Sequence, residues 1–213
     1  MSLPKERMIY SIEEYLERER ASLERHEYID GEIFEMSGES PAHGAICTNL
    51  TAIVHRQLLR TPCQAFAKDT KVRSGPHDQS QHSIKGLFSY PDLVVVCGEL
   101  KLYDKYQHVI TNPRVIFEVL SPATEVFDRG EKWLRYQAWL PDLTDYVLVS
   151  QDMPVIENFH RDEGGSWIYT ATKELDSILQ LPAISCHLAL AEVYDRVVFP
   201  ETDDFAEETA DQE

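Results

Sequence analysis

Two acidic residues stand in stretches of sequence that are otherwise apolar. Asp92 directly precedes the run Leu93–Cys97, and Glu118 lies inside the run Val115–Leu120. Continuous apolar runs of this length are typical of strands that are buried on both faces. An ionised carboxylate in such a place is costly unless a cation or several hydrogen-bond donors compensate it. The two residues are therefore the first candidates for a functional site.

The alternation of side chains along a strand decides which neighbours these carboxylates have. Glu118 is expected to share a face with Ile116 and Leu120, and Asp92 with Val94. On adjacent strands the two carboxylates would repel each other, or share a proton, unless a positive charge lay between them. A divalent cation meets that need, because hard cations prefer carboxylate oxygens. The alternative is a structural ion pair, which also perturbs buried acidic groups.

A lysine follows Glu118 on the next predicted helix, from which it can reach the carboxylates. Lys132 lies in the first turn of a helix that is predicted to begin at Asp128, with Glu131 as the matching capping residue. A helix that follows a strand packs back over the sheet, so this lysine can reach the carboxylates. Its ammonium would position an attacking water and offset negative charge on a phosphate. The alternative is an exposed surface lysine.

The surrounding pattern predicts the elements that must position these residues. The N-terminal part is expected to contain a first helix capped by Ser11 and Glu14, a hairpin over 26–36 and a helix from Ser40-Pro41 to about Arg60. The central part should contain a strand over 64–72, a loop over 73–90, strands at 93–97 and 115–120, a helix from Asp128 to Leu140 and a strand over 146–149. The C-terminal part should contain a hairpin over 155–172 and, between 184 and 199, a last strand with a short helix. The middle of the chain thus follows the order helix, strand, strand, strand, helix, strand.

The length and charge of the chain limit its domain organisation. The 213 residues carry a net charge of −17, and residues 201–213 hold seven acidic residues and no Lys or Arg, which leaves −10 for residues 1–200. We expect a single domain over 1–200 and an acidic, disordered tail over 201–213. The acidic body has no general attraction for a polyanion. A nucleic-acid partner would need a local basic groove, for which the best candidates are Arg56, Arg60, Lys68, Lys71 and Arg73.

Several classes of protein are excluded or disfavoured. The sequence lacks an apolar run long enough for a transmembrane helix, and we expect neither a membrane association nor a secretory signal, which places the protein in the cytoplasm. The scattered residues Cys47, Cys63, Cys97 and Cys186 are interpreted as reduced thiols rather than as a disulfide frame or zinc site. The motifs Gly-x-Ser-x-Gly and Gly-x-x-x-x-Gly-Lys-Ser/Thr are absent, which disfavours serine hydrolases and phosphate-loop NTPases.

Two accessory residues and one loop cluster remain as candidates. Glu32 follows the Asp30-Gly31 turn and could supply a third carboxylate, although it could equally face solvent. His43 lies at the start of the first long helix, where it could orient water, bind metal or contact phosphate, or simply be a partly exposed polar residue. The group of His77, Asp78 and His82 could hold a metal, but a loop without preset geometry disfavours that interpretation.

These motifs together resemble a known superfamily. Pro91-Asp92, followed by Glu118 after a strand within the predicted element order, is similar to the PD-(D/E)XK nuclease superfamily and more closely to the Uma-type restriction endonuclease family, a bacterial group largely without assigned function. The matching stretches are His26–Glu32, Ser40–His43, Tyr90–Val96 and Phe117–Thr124, continuing through Asp128, Lys132 and Tyr136 to Pro141–Tyr146. The resemblance covers about residues 8–199, and the ordered set is more specific for the family than for an activity.

The resemblance implies a fold, a cofactor and a set of site residues. The fold would be α/β (α+β) and restriction-endonuclease-like, a mixed β-sheet flanked by helices with core order αβββαβ, an N-terminal helix and hairpin and a C-terminal hairpin. Asp92 and Glu118 would hold Mg²⁺, with Mn²⁺ as a substitute. The superfamily places a lysine two residues after the acidic residue, where this chain has Leu120. The resemblance implies that Lys132 takes its place from the helix.

Two main hypotheses of function follow, and a third is weaker. The first is a metal-dependent endonuclease that hydrolyses nucleic-acid phosphodiester bonds, with DNA favoured over RNA and with Asp92, Glu118 and Lys132 as catalytic residues. The second is a catalytically silent, nuclease-like scaffold that binds a protein or nucleic acid, which the acidic composition favours. The third is a carboxylate-pair hydrolase acting on sugars, which gives Lys132 no role. A homodimer is compatible with each of them.

Overall fold

The fold is built from three β-sheets and a small number of helices. The computed structural model describes residues 8–36, 38–76, 83–103, 105–106 and 108–200. The elements in chain order are α1 (Ile12–Ala21), β1 (His26–Ile29), β2 (Glu32–Glu35), α2 (Pro41–Leu58), β3 (Cys63–Ala67), β4 (Lys71–Ser74), β5 (Leu87–Ser89), β6 (Leu93–Cys97), β7 (Val109–Ile110), β8 (Val115–Val119), α3 (Glu125–Phe127), a π-helical segment (Asp128–Lys132), α4 (Trp133–Trp139), β9 (Asp145–Val149), β10 (Val155–Arg161), β11 (Trp167–Lys173), β12 (Ile178–Leu181), a 3₁₀ turn (Pro182–Ile184), β13 (Cys186–Ala189) and α5 (Leu190–Val193).

The largest sheet has six strands and carries the central part of the site. Its strand order is β11-β10-β9-β8-β6-β3. Neighbouring strands are antiparallel except for β8 and β9, which are parallel and joined by the helical crossover through α4. Taking only the strands of this sheet, the chain follows the order α2, β3, β6, β8, α4, β9. The predicted mixed sheet flanked by helices, with core order αβββαβ, is therefore confirmed.

The two faces of the six-stranded sheet are covered by different helices. On one face, α2 packs its apolar residues, such as Leu50, against Val95 and Phe117. On the other face, α4 packs Tyr136 against Ile116. Apolar contact on both sides explains why the strand sequences are continuously apolar. As expected from the alternation of side chains, the even-numbered residues of β8 face α4.

A second sheet lies beside the first and contains the N-terminal hairpin. Its five strands have the order β2-β1-β5-β4-β7. Helix α1 covers it through a cluster of aromatic rings, in which Tyr15, Tyr28 and Phe88 have centroids 4.9–5.8 Å apart. The predicted capping box of Ser11 and Glu14 is present at the start of α1. The predicted hairpin over 26–36 is present as β1 and β2.

An ion pair connects this second sheet to α4. Arg135 donates to both oxygens of Asp30, at 3.2 and 2.9 Å, and the Gly86 N–H donates to Asp30 Oδ1 at 2.9 Å. Burial opposes ionisation of Asp30, but the hydrogen bonds from Arg135 and Gly86 and the charges of Arg135 and Lys85 lower its pKa from 3.8 to about 2. The β1–β2 turn is thereby attached to the helix that carries the site lysine.

Replacement of Asp30 by Asn should weaken this attachment. We expect the variant to lose about 1–2 kcal/mol of unfolding free energy at pH 7, because a charge-assisted pair becomes a neutral contact. A carboxyl group with a depressed folded pKa contributes its stability above its unfolded pKa, and that contribution is lost as the pH falls through the folded value. The difference between wild type and variant should therefore shrink between pH 4 and pH 2. Urea unfolding across this range measures it, and a pH-independent difference would contradict the assignment.

Three predicted elements differ from the structure. The strand predicted over 64–72 is two strands, β3 and β4, because a turn closed by the Thr70 N–H bond to the Ala67 carbonyl sends the chain from one sheet to the other. The loop predicted over 73–90 contains the end of β4 and the whole of β5, which pair with each other. The helix predicted from Asp128 begins at Glu125.

The interpretation of all four cysteines as reduced thiols is wrong for two of them. Cys63 and Cys97 form a disulfide. They are direct partners in the register of β3 and β6, with Cα atoms 3.9 Å apart. The pairing depends on strands that are 34 residues apart in sequence, so the sequence spacing could not reveal it. Cys47 and Cys186 are free thiols.

Within the described part of the chain, none of the helices has the length and apolar character required to cross a membrane.

Candidate active site

The site residues predicted from sequence lie along one cleft. Its volume is about 1270 Å³, and its wall includes Asp92, Glu118 and Lys132 together with both accessory candidates, Glu32 and His43. The cleft is bordered by the β1–β2 hairpin, the start of α2, the junctions at β6 and β8, and the π-helical segment. Three distant stretches of the chain therefore converge, as the sequence predicted.

Lys132 is buried at the centre of a group of carboxylates. Its Nζ lies 2.8 Å from Asp128 Oδ1, 3.1 Å from Glu118 Oε1 and 3.5 Å from Glu27 Oε1. Burial disfavours the charged amine, but the charges of Glu118, Glu27 and Asp128 outweigh it and hold the Lys132 pKa well above its usual value. The ammonium is therefore permanently charged at neutral pH, and the interpretation of Lys132 as an exposed surface lysine is wrong.

The π-helical segment places Lys132 and Asp128 on the same inner face. Both are buried, with 4% and 2% of their surface exposed. Tyr146 on β9 donates a hydrogen bond of 2.9 Å to the Asp128 carbonyl and so fixes the segment on the sheet. A π-helical turn inside an α-helix is rare and is frequently found at functional sites. The irregular helix is thus the local feature that turns this lysine towards the sheet.

Glu118 is a buried carboxylate whose protonated form is favoured. Its Oε1 accepts a hydrogen bond from the Tyr136 hydroxyl at 3.4 Å, besides the ion pair with Lys132. Burial raises the pKa of Glu118 well above its usual value. The charge of Lys132 lowers this pKa, whereas the charges of Asp128, Asp92 and Glu27 raise it further. One ammonium is too little to balance this group of carboxylates. The cluster therefore lacks positive charge.

Asp92 is attached directly to the end of β8. Its Oδ2 accepts a hydrogen bond of 2.7 Å from the Val119 N–H and lies 3.5 Å from His43 Nε2. The backbone bond joins the residue before β6 to the residue after Glu118, and so fixes the two carboxylates relative to each other. Asp92 also contributes to the raised pKa of Glu118, which requires the two groups to be close.

The accessory candidates occupy different positions along the wall. His43, in the first turn of α2, lies between Asp92 and Glu39, with its Nδ1 3.0 Å from Glu39 Oε2. Burial opposes protonation of His43, but hydrogen bonds and charges from Asp92 and Glu39 raise its pKa. Glu32 lies on β2 and lines the same cleft. The group of His77, Asp78 and His82 lies outside the described residues.

Sequence reasoning missed two carboxylates of the cluster. Glu27 lies in β1, where the sequence predicts only a hairpin, and Asp128 lies where the sequence predicts only a helix cap. Glu27 accepts a hydrogen bond of 3.3 Å from the Tyr90 N–H, which holds it beside the strand that leads to Asp92. The available signal was the i, i+4 spacing of Asp128 and Lys132, which places the two on one helix face.

The predicted basic groove is not formed. Only Lys68 among its candidates lines the cleft, where it pairs with Glu39. Arg56 is exposed and pairs with Glu192, whereas Lys71 is buried against the ring of Tyr15 on α1 and Arg73 against the ring of Tyr103. Arg60 lies in the turn after α2. Basic residues that are close in sequence thus diverge, because β3 and β4 belong to different sheets.

The cleft as a whole is acidic. Its acidic side chains are Glu24, Glu27, Asp30, Glu32, Glu35, Glu39, Asp69, Asp92, Glu118, Asp128 and Glu131, and its basic ones are Arg25, Lys68, Lys132 and Arg135. A phosphate would be repelled by this surface unless a cation were bound with it. The oxygen donors at the inner end are those that Mg²⁺ and Mn²⁺ prefer. The donor chemistry and the shortage of positive charge therefore both fit a hard divalent cation.

Comparisons with known sequences match most of the described residues to one family. The family Uma2, described as "Putative restriction endonuclease", matches residues 12–191. A relative in Synechocystis sp., the uncharacterized protein slr1290, is 33% identical over 189 residues, covering 89% of this chain and 93% of its own length. A second Synechocystis relative, the uncharacterized protein sll1609, is 29% identical over 162 residues, covering 76% of this chain and 86% of its own.

A solved structure has the same fold. The crystal structure of a putative nuclease belonging to DUF820 from Anabaena variabilis superimposes with a TM-score of 0.68 and 15% sequence identity, covering 89% of this chain and 99% of the other. At this identity the likeness establishes the shared fold and says nothing about individual side chains. It supports the restriction-endonuclease-like architecture expected from the sequence.

Proposed function

Because this chain belongs to the Uma2 family of putative restriction endonucleases, we propose that it is a metal-dependent nuclease that hydrolyses phosphodiester bonds in nucleic acid. The observation that carries the proposal is the buried cluster of Asp92, Glu118 and Lys132 at the inner end of an open cleft. A structural ion pair would need neither the excess of carboxylates nor access from the cleft. The nuclease fold of the solved neighbour agrees with this chemistry.

Asp92 and Glu118 are the proposed ligands of Mg²⁺ or Mn²⁺. When bound, the metal supplies Lewis-acid activation of the phosphate and of the attacking water. The Val119 N–H restrains Asp92 Oδ2, and Oδ1 would be available to hold a cation. Tyr136 and Lys132 restrain Glu118 in the same way through its Oε1. Both ligands are thus held by neighbouring groups before a cation arrives, which lowers the entropic cost of binding.

Lys132 is the proposed group for orienting water and for stabilising the transition state. It lies on the helix rather than two residues after Glu118, where Leu120 packs into the apolar core instead. Asp128 and Glu27 hold its ammonium in place and keep it charged. A fixed cation beside the phosphate offsets the negative charge that develops during attack.

We propose DNA, in preference to RNA, as the substrate. The cleft volume of about 1270 Å³ is above the roughly 300–1,000 Å³ that is usual for small-molecule pockets. The test is incubation of the purified protein with plasmid DNA, single-stranded DNA and RNA in the presence of Mg²⁺ or Mn²⁺. We expect cleavage of DNA that stops on addition of EDTA. Cleavage that persists with the chelator would contradict metal dependence.

The second candidate function is a scaffold that binds without cleaving. The acidic cleft wall favours it, since such a surface attracts basic protein segments more readily than nucleic acid. Calorimetric titration with Mg²⁺ separates the two candidates. A nuclease should bind the cation in a manner that is lost on replacement of Asp92 by Asn, whereas a silent scaffold should show no specific binding that depends on Asp92.

Binding of Mg²⁺ should also release a proton. Burial raises the pKa of Glu118, and a cation can bind only to the ionised carboxylate, so the proton and the cation compete for this group. Affinity should therefore increase as the pH rises towards the pKa of Glu118. The expected result is a binding heat that changes with the ionisation enthalpy of the buffer, whereas Glu118→Gln, which lacks one of the two proposed ligands, should show no Mg²⁺ binding heat. Equal heats in all buffers for the wild type would contradict the assignment.

A further inference from the structure

A second group of possible metal ligands lies at the start of α2. Glu39, His43 and Cys47 each offer one ligand atom, and these atoms all lie within 4.8 Å of one another. His43 and Cys47 are one helix turn apart on α2 and face the same side, and Glu39, which precedes the N-cap Ser40, reaches His43 from the segment before the helix. This group differs in chemistry from the carboxylate cluster, because it combines oxygen, nitrogen and sulfur donors.

The distances between these atoms are close to those of a tetrahedral zinc site. With Zn–O and Zn–N bonds of about 2.05 Å and a Zn–S bond of about 2.3 Å, a tetrahedral angle gives an N···O separation of about 3.3 Å and an N···S separation of about 3.6 Å. Glu39 Oε2 lies 3.0 Å and Cys47 Sγ 3.4 Å from His43 Nδ1. Shifts of a few tenths of an ångström would therefore bring all three onto one ion.

The surroundings orient each ligand. The Ser40 hydroxyl accepts from the His43 N–H at 3.1 Å and donates to Gln151 Oε1 at 2.8 Å, which fixes the first turn of α2. Lys68 pairs with Glu39 Oε1 and leaves Oε2 directed at the histidine. His43 Nε2 lies 3.5 Å from Asp92 Oδ2. A carboxylate at the other ring nitrogen is the usual partner of a metal-ligating histidine, because it fixes the tautomer.

We propose that Glu39, His43 and Cys47 bind a borderline-soft divalent cation, Zn²⁺ by preference, at a second site that adjoins the carboxylate cluster through the contact between His43 and Asp92. The sulfur and imidazole donors select Zn²⁺ over Mg²⁺, which prefers oxygen ligands. On binding, the Cys47 thiol gives its proton to solvent and coordinates as the thiolate, and His43 coordinates through its unprotonated Nδ1. Glu39 and His43 line the cleft, so the fourth position faces it and is taken by water.

The test uses Co²⁺ as a spectroscopic substitute for Zn²⁺ on the full chain without reductant. A thiolate bound to Co²⁺ gives a charge-transfer absorption in the near ultraviolet, which oxygen ligands do not give. We expect this band at one equivalent of Co²⁺, and we expect one equivalent of Zn²⁺ to remove it. Cys47→Ser should abolish the band, and His43→Gln should weaken Co²⁺ binding at least tenfold. Cys186→Ser, which removes the other free thiol, is the matched control and should keep the band.

The result is separable from the nuclease proposal. Glu118→Gln should lose cleavage and keep the cobalt band, since Glu118 is not a ligand of this site. Thermal melts establish that each variant is folded before its spectrum is compared. Absence of the band in the folded wild type, or a band that survives in Cys47→Ser and disappears in Cys186→Ser, would overturn the proposal.

Discussion

Replacement of Glu118 by Gln is expected to reduce the rate of DNA cleavage at least a thousandfold. The substitution keeps the size of the side chain and removes a charge that the proposed cation requires. Loss of one ligand from a two-carboxylate site removes both the cation and the activation of water that depends on it. Asp92→Asn should have a similar effect through the other ligand. Single-turnover cleavage of supercoiled plasmid in Mg²⁺ measures the rate without interference from product release.

The controls for this experiment come from the same chain. Glu163→Gln changes an exposed glutamate in the turn between β10 and β11, and Asp152→Asn changes an exposed aspartate after β9. Both should cleave at the wild-type rate. Equal cleavage by wild type, Glu118→Gln and Asp92→Asn would show that a contaminant performs the reaction, and the proposal would be withdrawn. The Glu118 variant should also be as stable as the wild type or more so, because it removes a buried carboxylate from a cluster with too few cations.

The central strands and the two main site carboxylates could be predicted because the relevant signals are local. Apolar runs identified β6 and β8, and the strict alternation along β8 placed Glu118 on the same face as Ile116. Ser40 and Pro41 marked the start of α2 for equally local reasons, a side-chain cap and a residue suited to the first helical position. The position of Lys132 near this site could be predicted because a helix that follows a strand packs over its sheet.

The features that could not be predicted depend on contacts between distant segments. Glu27 joins the cluster because the second sheet lies against the first, and nothing in β1 itself indicates that position. The disulfide depends on the register of β3 against β6. The chain reverses between β3 and β4, so Lys68 and Lys71 enter different environments despite their closeness in sequence. Hydrophobic periodicity carries no information about which sheet a strand will join.

Replacement of Lys132 by Met is expected to cause the largest loss of stability. The side chain is about the same size and remains apolar along its stem, so the packing is kept while the charge is removed. Asp128 and Glu118 are then left buried without their ammonium partner. Removing one member of a buried ion pair costs about 3–5 kcal/mol, most of it from the charge that remains. Cleavage should be lost as well, but stability is the property that identifies the cluster.

The pH dependence distinguishes this explanation from a simple packing defect. Without Lys132, the folded pKa of Glu118 rises further above the value of about 4.5 for an unfolded chain. A group with a raised folded pKa keeps its contribution to stability below the unfolded value and loses it as the pH rises towards the folded value. The variant should therefore differ little from the wild type near pH 4.5 and increasingly as the pH rises above that value, as measured by urea unfolding in the absence of metal. Lys173→Met, which removes an exposed lysine on β11, should show no such trend. A deficit in Lys132→Met that stays constant over this range would mean that the lysine stem, and not its charge, is what the fold requires.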